Sequence, residues 1–264
     1  MPFILFLGFL LWPSLLLAHF QLLIPSQEVV PAGARQEVVL EMLFTHPAAG
    51  GPAMEMARPL RFGVLVRGQK IDLTSLLQKV QRPAGGCRGA KAGKVSAYQA
   101  RYLLKRPGDH VFYLVPRPYF EAAEGRFIQQ VTKVVVNAYG AEAGWDEAVG
   151  LPVEIIPLTR PYALFEGQVF RGLVLKGGKP APFVEVEVEY DNRDCRLGLE
   201  GPFATQVLKT DAQGVFSFAL PWAGWWGFSA LLEGEPLAQG GRQYPLELDA
   251  VLWIKAHPRP QGAR

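Results

Sequence analysis

Short runs of apolar, β-branched and aromatic residues, broken at close intervals by Gly, Pro, Asn and Asp, recur along this chain. QEVVLEMLF (36–44), LRFGVLV (60–66), VSAYQARYLL (95–104), HVFYLV (110–115), FIQQVTKVVVNAY (127–139) and LPVEIIPL (151–158) have the length and composition of strands. No stretch sustains an apolar 3.6-residue period for long, and LTSLLQKV (73–80), opened by DLT, is the one short helix expected. Pro157 and Pro161 then punctuate a linker. A second series follows: GQVFRGLVL (167–175), the turn KGGK (176–179), FVEVEVEY (183–190), TQVLKT (205–210), VFSFAL (215–220), GWWGFSALL (224–232) and AVLWIKAH (250–257). The Val/Glu alternation of 183–190 predicts one buried and one wet face. In DAQG (211–214), Asp caps its own turn and Gly takes the positive-φ position, which marks a hairpin. The fold expected is all-β, two consecutive β-sandwich (Ig-like) domains at 19–158 and 159–258, with a tail at 259–264.

Ahead of the first strand, residues 1–18 carry no charged side chain, and Phe3 to Leu17 is interrupted only by Gly8, Pro13 and Ser14. An apolar run closing on Leu16-Leu17-Ala18 is a secretory signal peptide with a cut before His19, which implies an exported, periplasmic protein. A basic n-region is missing, so an uncleaved membrane anchor is the alternative. A spanning helix wants ~20 apolar residues, however, and Pro13 would interrupt this one.

The net charge of +3 is small and the two signs are interspersed, which excludes a nucleic-acid or anionic-membrane footprint. No Gly-rich phosphate loop points to a nucleotide. Cys87 and Cys195 lie in AGGCRGAKAG and DNRDCRLG, with no zinc spacing. An oxidising compartment would permit a disulfide. Loops so far apart in sequence seldom come within a Cα separation of ~7 Å, so two unpaired thiols are expected.

Chemistry has few residues to build on. There is no G-x-S-x-G elbow and no H-E-x-x-H, so an enzyme is not expected. Of the four histidines, His19 stands out, because cleavage at Ala18 would give it a free α-amine beside its imidazole. The two nitrogens close a chelate ring suited to Ni(II) or Cu(II). The α-amine has an unperturbed pKa of ~7.7–8.0, so a metal displaces its proton readily. The bland reading is a frayed terminus that happens to begin with His. His46, in FTHP, ends a strand, and Met54 and Met56 bracket Glu55 in a loop. Residues two apart in an extended segment point the same way, so both thioethers could serve one soft ligand. Equally, Met fills gaps under loops. His110 finishes a turn after RPGD, His257 follows the last strand, and Trp222, Trp225 and Trp226 read as packing or as a sugar platform.

AHFQLLIPS, LFTHP…GPAMEMARPLRFGVL, the stretch from YLLKRPGDH to PLTRPY, and VLKTDAQGVFSFALPWAGWWGFSAL together resemble a family of bacterial exported proteins. Its members are described as the periplasmic component of nickel or cobalt ABC-type uptake systems of the energy-coupling-factor kind. The similarity covers nearly the whole mature chain, and TKVVVNAYGAEAGWDEAVGLPVEI is its most specific part. The C-terminal series also resembles carboxypeptidase-regulatory-like, transthyretin-like Ig domains. What the first resemblance implies is delivery of Ni2+ or Co2+ to a membrane permease, with His19 and His46 matching the family pattern and Met54 and Met56 a looser match. Cu2+ is a further candidate ion. A structural Ig-like scaffold is the alternative. A third is a copper enzyme, since a terminal His with one further His is similar to the histidine brace of lytic polysaccharide monooxygenases, which the rest of the chain does not resemble.

Overall fold

The structure is a computed structural model that describes residues 19–33, 36–87, 89, 93–260 and 262. The expected signal segment, 1–18, lies outside the described residues. Among the described residues, strands run in the order β1 (Phe20–Pro25), β2 (Val29–Val30), β3 (Glu37–Thr45), β4 (Arg61–Val66), β5 (Gln69–Asp72), β6 (Gln78–Pro83), β7 (Lys94–Leu103), β8 (Gly108–Val115), β9 (Tyr119–Glu121) and β10 (Arg126–Ala138), then β11 (Val153–Pro157), β12 (Leu164–Phe165), β13 (Val169–Lys176), β14 (Lys179–Pro180), β15 (Glu185–Tyr190), β16 (Thr205–Lys209), β17 (Val215–Ala219), β18 (Gly224–Ala230), β19 (Glu233–Gln239) and β20 (Arg242–His257). The protein is all-β, and its sheets pack face to face as sandwiches.

A long central sheet has the order β16-β15-β18-β20-β10-β8-β4-β5. One four-stranded sheet, β1-β3-β7-β6, covers one of its faces, and another, β11-β13-β14 with β17 beside β13, covers the other. The hinge of this plan is the parallel pairing of β10 with β20, Val131 against Ala250 and Val134 against Trp253. The central sheet therefore continues from segment 19–158 into segment 159–258. Both faces of this pair are covered, which explains why VVV (134–136) and AVLWI (250–254) show no polar alternation. Along β20, Ala250, Leu252 and Ile254 face one core while Val251 and Trp253 face the other, all of them inaccessible to solvent. Lys133 is buried among these side chains and its Nζ donates to Glu154 Oε2 at 2.8 Å.

Three expectations are corrected. The helix at 73–80 is only a 3-10 turn, Thr74–Leu76, after which the chain extends into β6 against β7. A single turn is a costly nucleus, and pairing along β7 supplies more hydrogen bonds. The wet face expected at 183–190 is only partly wet: Glu189 is buried, because the loop that follows β3 lies over it. The two thiols expected to be unpaired form the Cys87–Cys195 disulfide, with Cα atoms 5.5 Å apart. The fit depends on Gly50, since a Cβ there would stand 2.0 Å from Cys87 Sγ. The hairpin β19–β20, turning at Gly240-Gly241 with positive φ at both, was hidden in sequence by Pro236, Pro245 and interspersed polar residues.

Candidate functional site

β1 begins immediately after His19 and runs antiparallel to β3 with Phe20 opposite Thr45. One step further along this register, His19 meets His46, and their ring centroids lie 4.2 Å apart, tilted by 49°. Phe44 stacks on the His19 ring at 5.5 Å, and Tyr119 approaches it at 5.9 Å. Glu121, two residues on in β9 and on the same side as Tyr119, places Oε2 at 3.4 Å from His19 Nε2.

Burial, followed by the nearness of His46, holds His19 down to about 4, against the opposing pull of Glu121. Its imidazole is therefore neutral at neutral pH and available as a ligand. A carboxylate on the Nε2 side favours the proton there and leaves Nδ1 with its lone pair, the arrangement by which outer carboxylates orient metal-binding histidines. Nδ1 is also the nitrogen that closes a ring with an α-amine on the same residue.

The segment is held in place from below. Gln130, buried in β10, donates through Nε2 to the His19 carbonyl at 2.6 Å and accepts the Gln21 N–H through Oε1, also at 2.6 Å. The same Nε2 donates to Asp249 Oδ2 at 3.1 Å, and Trp253 Nε1 donates to the Gln21 carbonyl at 2.9 Å. One glutamine thus clamps the chain on both sides of Phe20. His46 sits in a loop with equal support: Ala48 N–H donates to Glu189 Oε2 at 3.1 Å, and Asn192 Nδ2 donates to the Ala48 carbonyl at 3.1 Å.

The two methionines take different places. Met54 N–H donates to the Phe44 carbonyl at 2.9 Å and its side chain is half-buried. Met56 is in the core, its sulfur 3.7 Å from Gln21 Nε2, and with Gln21, Phe44, Tyr119 and Gln130 it lines a cavity of about 80 Å3. Glu55, between them, accepts the Ser96 N–H at 2.7 Å. Elsewhere, His110 is buried inside β8 with Nδ1 3.1 Å from the Gly108 carbonyl, and His257 pairs with Glu28. Trp226 is core, while Trp225 carries Lys255 over its ring at 5.7 Å.

Among the described residues no three His, Cys, Asp or Glu side chains are grouped to hold a metal by themselves. A metal at His19 and His46 would need a further donor from outside that set of side chains. Glu121 and Tyr119 come from β9 and Gln130 from β10, and no local pattern in the sequence links either strand to the two histidines.

The family model described as Domain of unknown function (DUF4198) matches residues 16–234, a span that includes both histidines, Glu121, Gln130 and Asn192. No curated protein matches the chain. Among solved structures, the D0-D1 domain of intimin is similar at 14% identity over 90% of this chain and 99% of that one, with a TM-score of 0.24. The Yersinia pseudotuberculosis adhesin InvE is similar at 13% identity over 87% of this chain and 58% of that one, with a TM-score of 0.23. The architecture rests on the strand order above and not on these scores.

Proposed function

The chain belongs to the DUF4198 family, and we propose on that footing that it is an exported carrier which binds Ni2+ or Co2+ at its mature amino terminus and hands the ion to a membrane uptake system. The observation that carries this reading is the His19–His46 pair at 4.2 Å, with His19 clamped by Gln130 where a terminus would ordinarily fray. Cleavage between Ala18 and His19 converts the His19 amide nitrogen into an α-amine. Together with the two imidazoles it makes a three-nitrogen set, of the kind late divalent transition metals favour. The imidazole of His19 is already neutral, so binding there displaces no ring proton.

Three donors leave part of the coordination shell open. An open shell lets the next protein in line take hold of the ion before the first lets go, as a carrier requires. The Cys87–Cys195 disulfide supports residence in an oxidising compartment. The partner on this reading is the membrane permease of the uptake system. The competing reading, a structural module, draws on the stapled all-β build and requires both histidines to be dispensable.

The test uses protein exported from its own leader: intact mass to map the terminus, then calorimetric titration with Ni2+, Co2+ and Cu2+. One ion per chain is expected for a chain that begins at His19. Adding one residue before His19, or making His46→Ala, should weaken binding about tenfold or more. A chain that begins at His19 and takes up none of the three ions at micromolar concentration sinks the reading and favours the scaffold.

A further inference from the structure

The loop that carries His46 belongs to the N-terminal half, yet it is gripped from the C-terminal half at several points. Asn192, itself buried, donates its backbone N–H to the Pro47 carbonyl at 3.2 Å and its side-chain amide to the Ala48 carbonyl at 3.1 Å. Glu189 accepts the Ala48 N–H, and Thr205 Oγ1 holds the other carboxylate oxygen at 2.5 Å. On the far side of the loop, Cys87 N–H donates to the Gly50 carbonyl at 2.7 Å, and the disulfide carries Cys87 across to Cys195. Cys195 N–H in turn donates to the Asn192 carbonyl at 2.9 Å, which closes a ring of contacts around residues 47–50. Within the loop, Gly51 N–H donates to the His46 carbonyl at 2.9 Å.

We propose that the Cys87–Cys195 disulfide and Asn192 are positioning residues for His46, so that the His19–His46 pair is assembled only in the folded, oxidised chain. The inference rests on the metal reading above for its function and on the loop contacts alone for its geometry. A short loop bearing a ligand relaxes when either end of its clamp is cut. Two imidazoles must be held to within fractions of an ångström to share one ion. Neither Asn192 nor the disulfide touches the ion on this reading; both act through the backbone of residues 47–50.

Full-length exported chains labelled with 15N-histidine provide the test, using wild type, Cys87→Ser with Cys195→Ser, and Asn192→Ala, which keeps the disulfide. In both variants the ring signals of His46 should shift and broaden while those of His110 stay in place, because His110 is buried inside β8, away from residues 47–50 and 190–196. Ni2+ affinity should fall about tenfold or more in both. If the double serine variant fails to fold, Asn192→Ala decides alone. His46 signals and Ni2+ affinity unchanged in a folded variant overturn the proposal, as does a uniform shift of all four histidines. If the wild type binds no Ni2+ but the His46 signals still move alone, the positioning stands and it is the metal reading that has failed.

Discussion

Gly50 and Gly51 work by what they lack. Gly50 has φ +58° and leaves room for the Cys87 sulfur. Gly51 has ordinary backbone angles, but a Cβ there would lie 2.8 Å from His46 Cβ and 3.3 Å from its ring atoms. Gly51→Ala should therefore push His46 out of line, at a cost of about 1–3 kcal/mol measured by denaturant unfolding, since the packed loop has little room to yield. A change within a few tenths of a kcal/mol would show that the loop gives way freely and that His46 is not tightly seated. In sequence, AAGGP marks a loop and nothing more. That its glycines are spacers beside a histidine and a disulfide depends on neighbours brought in by the fold.

β1 is the element on which the site turns. It follows directly on an apolar run, so no change of composition sets 20–25 apart as a strand. Pairing with β3 and the clamp from Gln130 define it. Gln130→Ala leaves the Gln21 N–H and the His19 carbonyl without their partner, and one such buried group costs about 1–3 kcal/mol. Hydrogen exchange should show the Gln21 amide opening faster in that variant while the β8 amides keep their protection. Equal acceleration throughout would mean that Gln130 serves global stability alone. β15 shows the complementary case: its Val/Glu alternation correctly marks Val186 and Val188 as core, yet Glu189 on the other face is buried under a loop that follows β3.

At the scale of the whole molecule, that burial of acids sets a pH dependence. Burial, with smaller repulsions from neighbouring carboxylates, pushes Glu187 up to about 7 and Glu189 up to about 8, and holds Asp249 well above its ordinary range. Groups raised on folding give the folded chain more bound protons than the unfolded one, so stability rises as pH falls through these values. His19 and His110, both pushed down by burial, take up protons only on unfolding and oppose the trend below about pH 6.5. The melting temperature should thus be higher near pH 6.5 than near pH 8.5, with a smaller difference in Glu189→Gln. A melting temperature that is flat or rises with pH over that range would contradict the placement of these carboxylates.

The strands of β3, β4, β7, β8, β10, β11, β13, β15, β17 and β18, the turn at 211–214 and the all-β build were legible in the residues, because β-rich runs and an Asp-to-Gly turn are local properties carried by neighbours in the chain. Residue type and position drew attention to His19 and His46 as candidates. Their meeting at 4.2 Å, the orienting Glu121, the Gln130 clamp and the Cys87–Cys195 bond come only from pairings between residues far apart in sequence, 108 positions in the case of the disulfide. Such contacts depend on how β10 and β20 join the sheets. That choice is made by burying both faces of two apolar strands at once, and no local pattern records it.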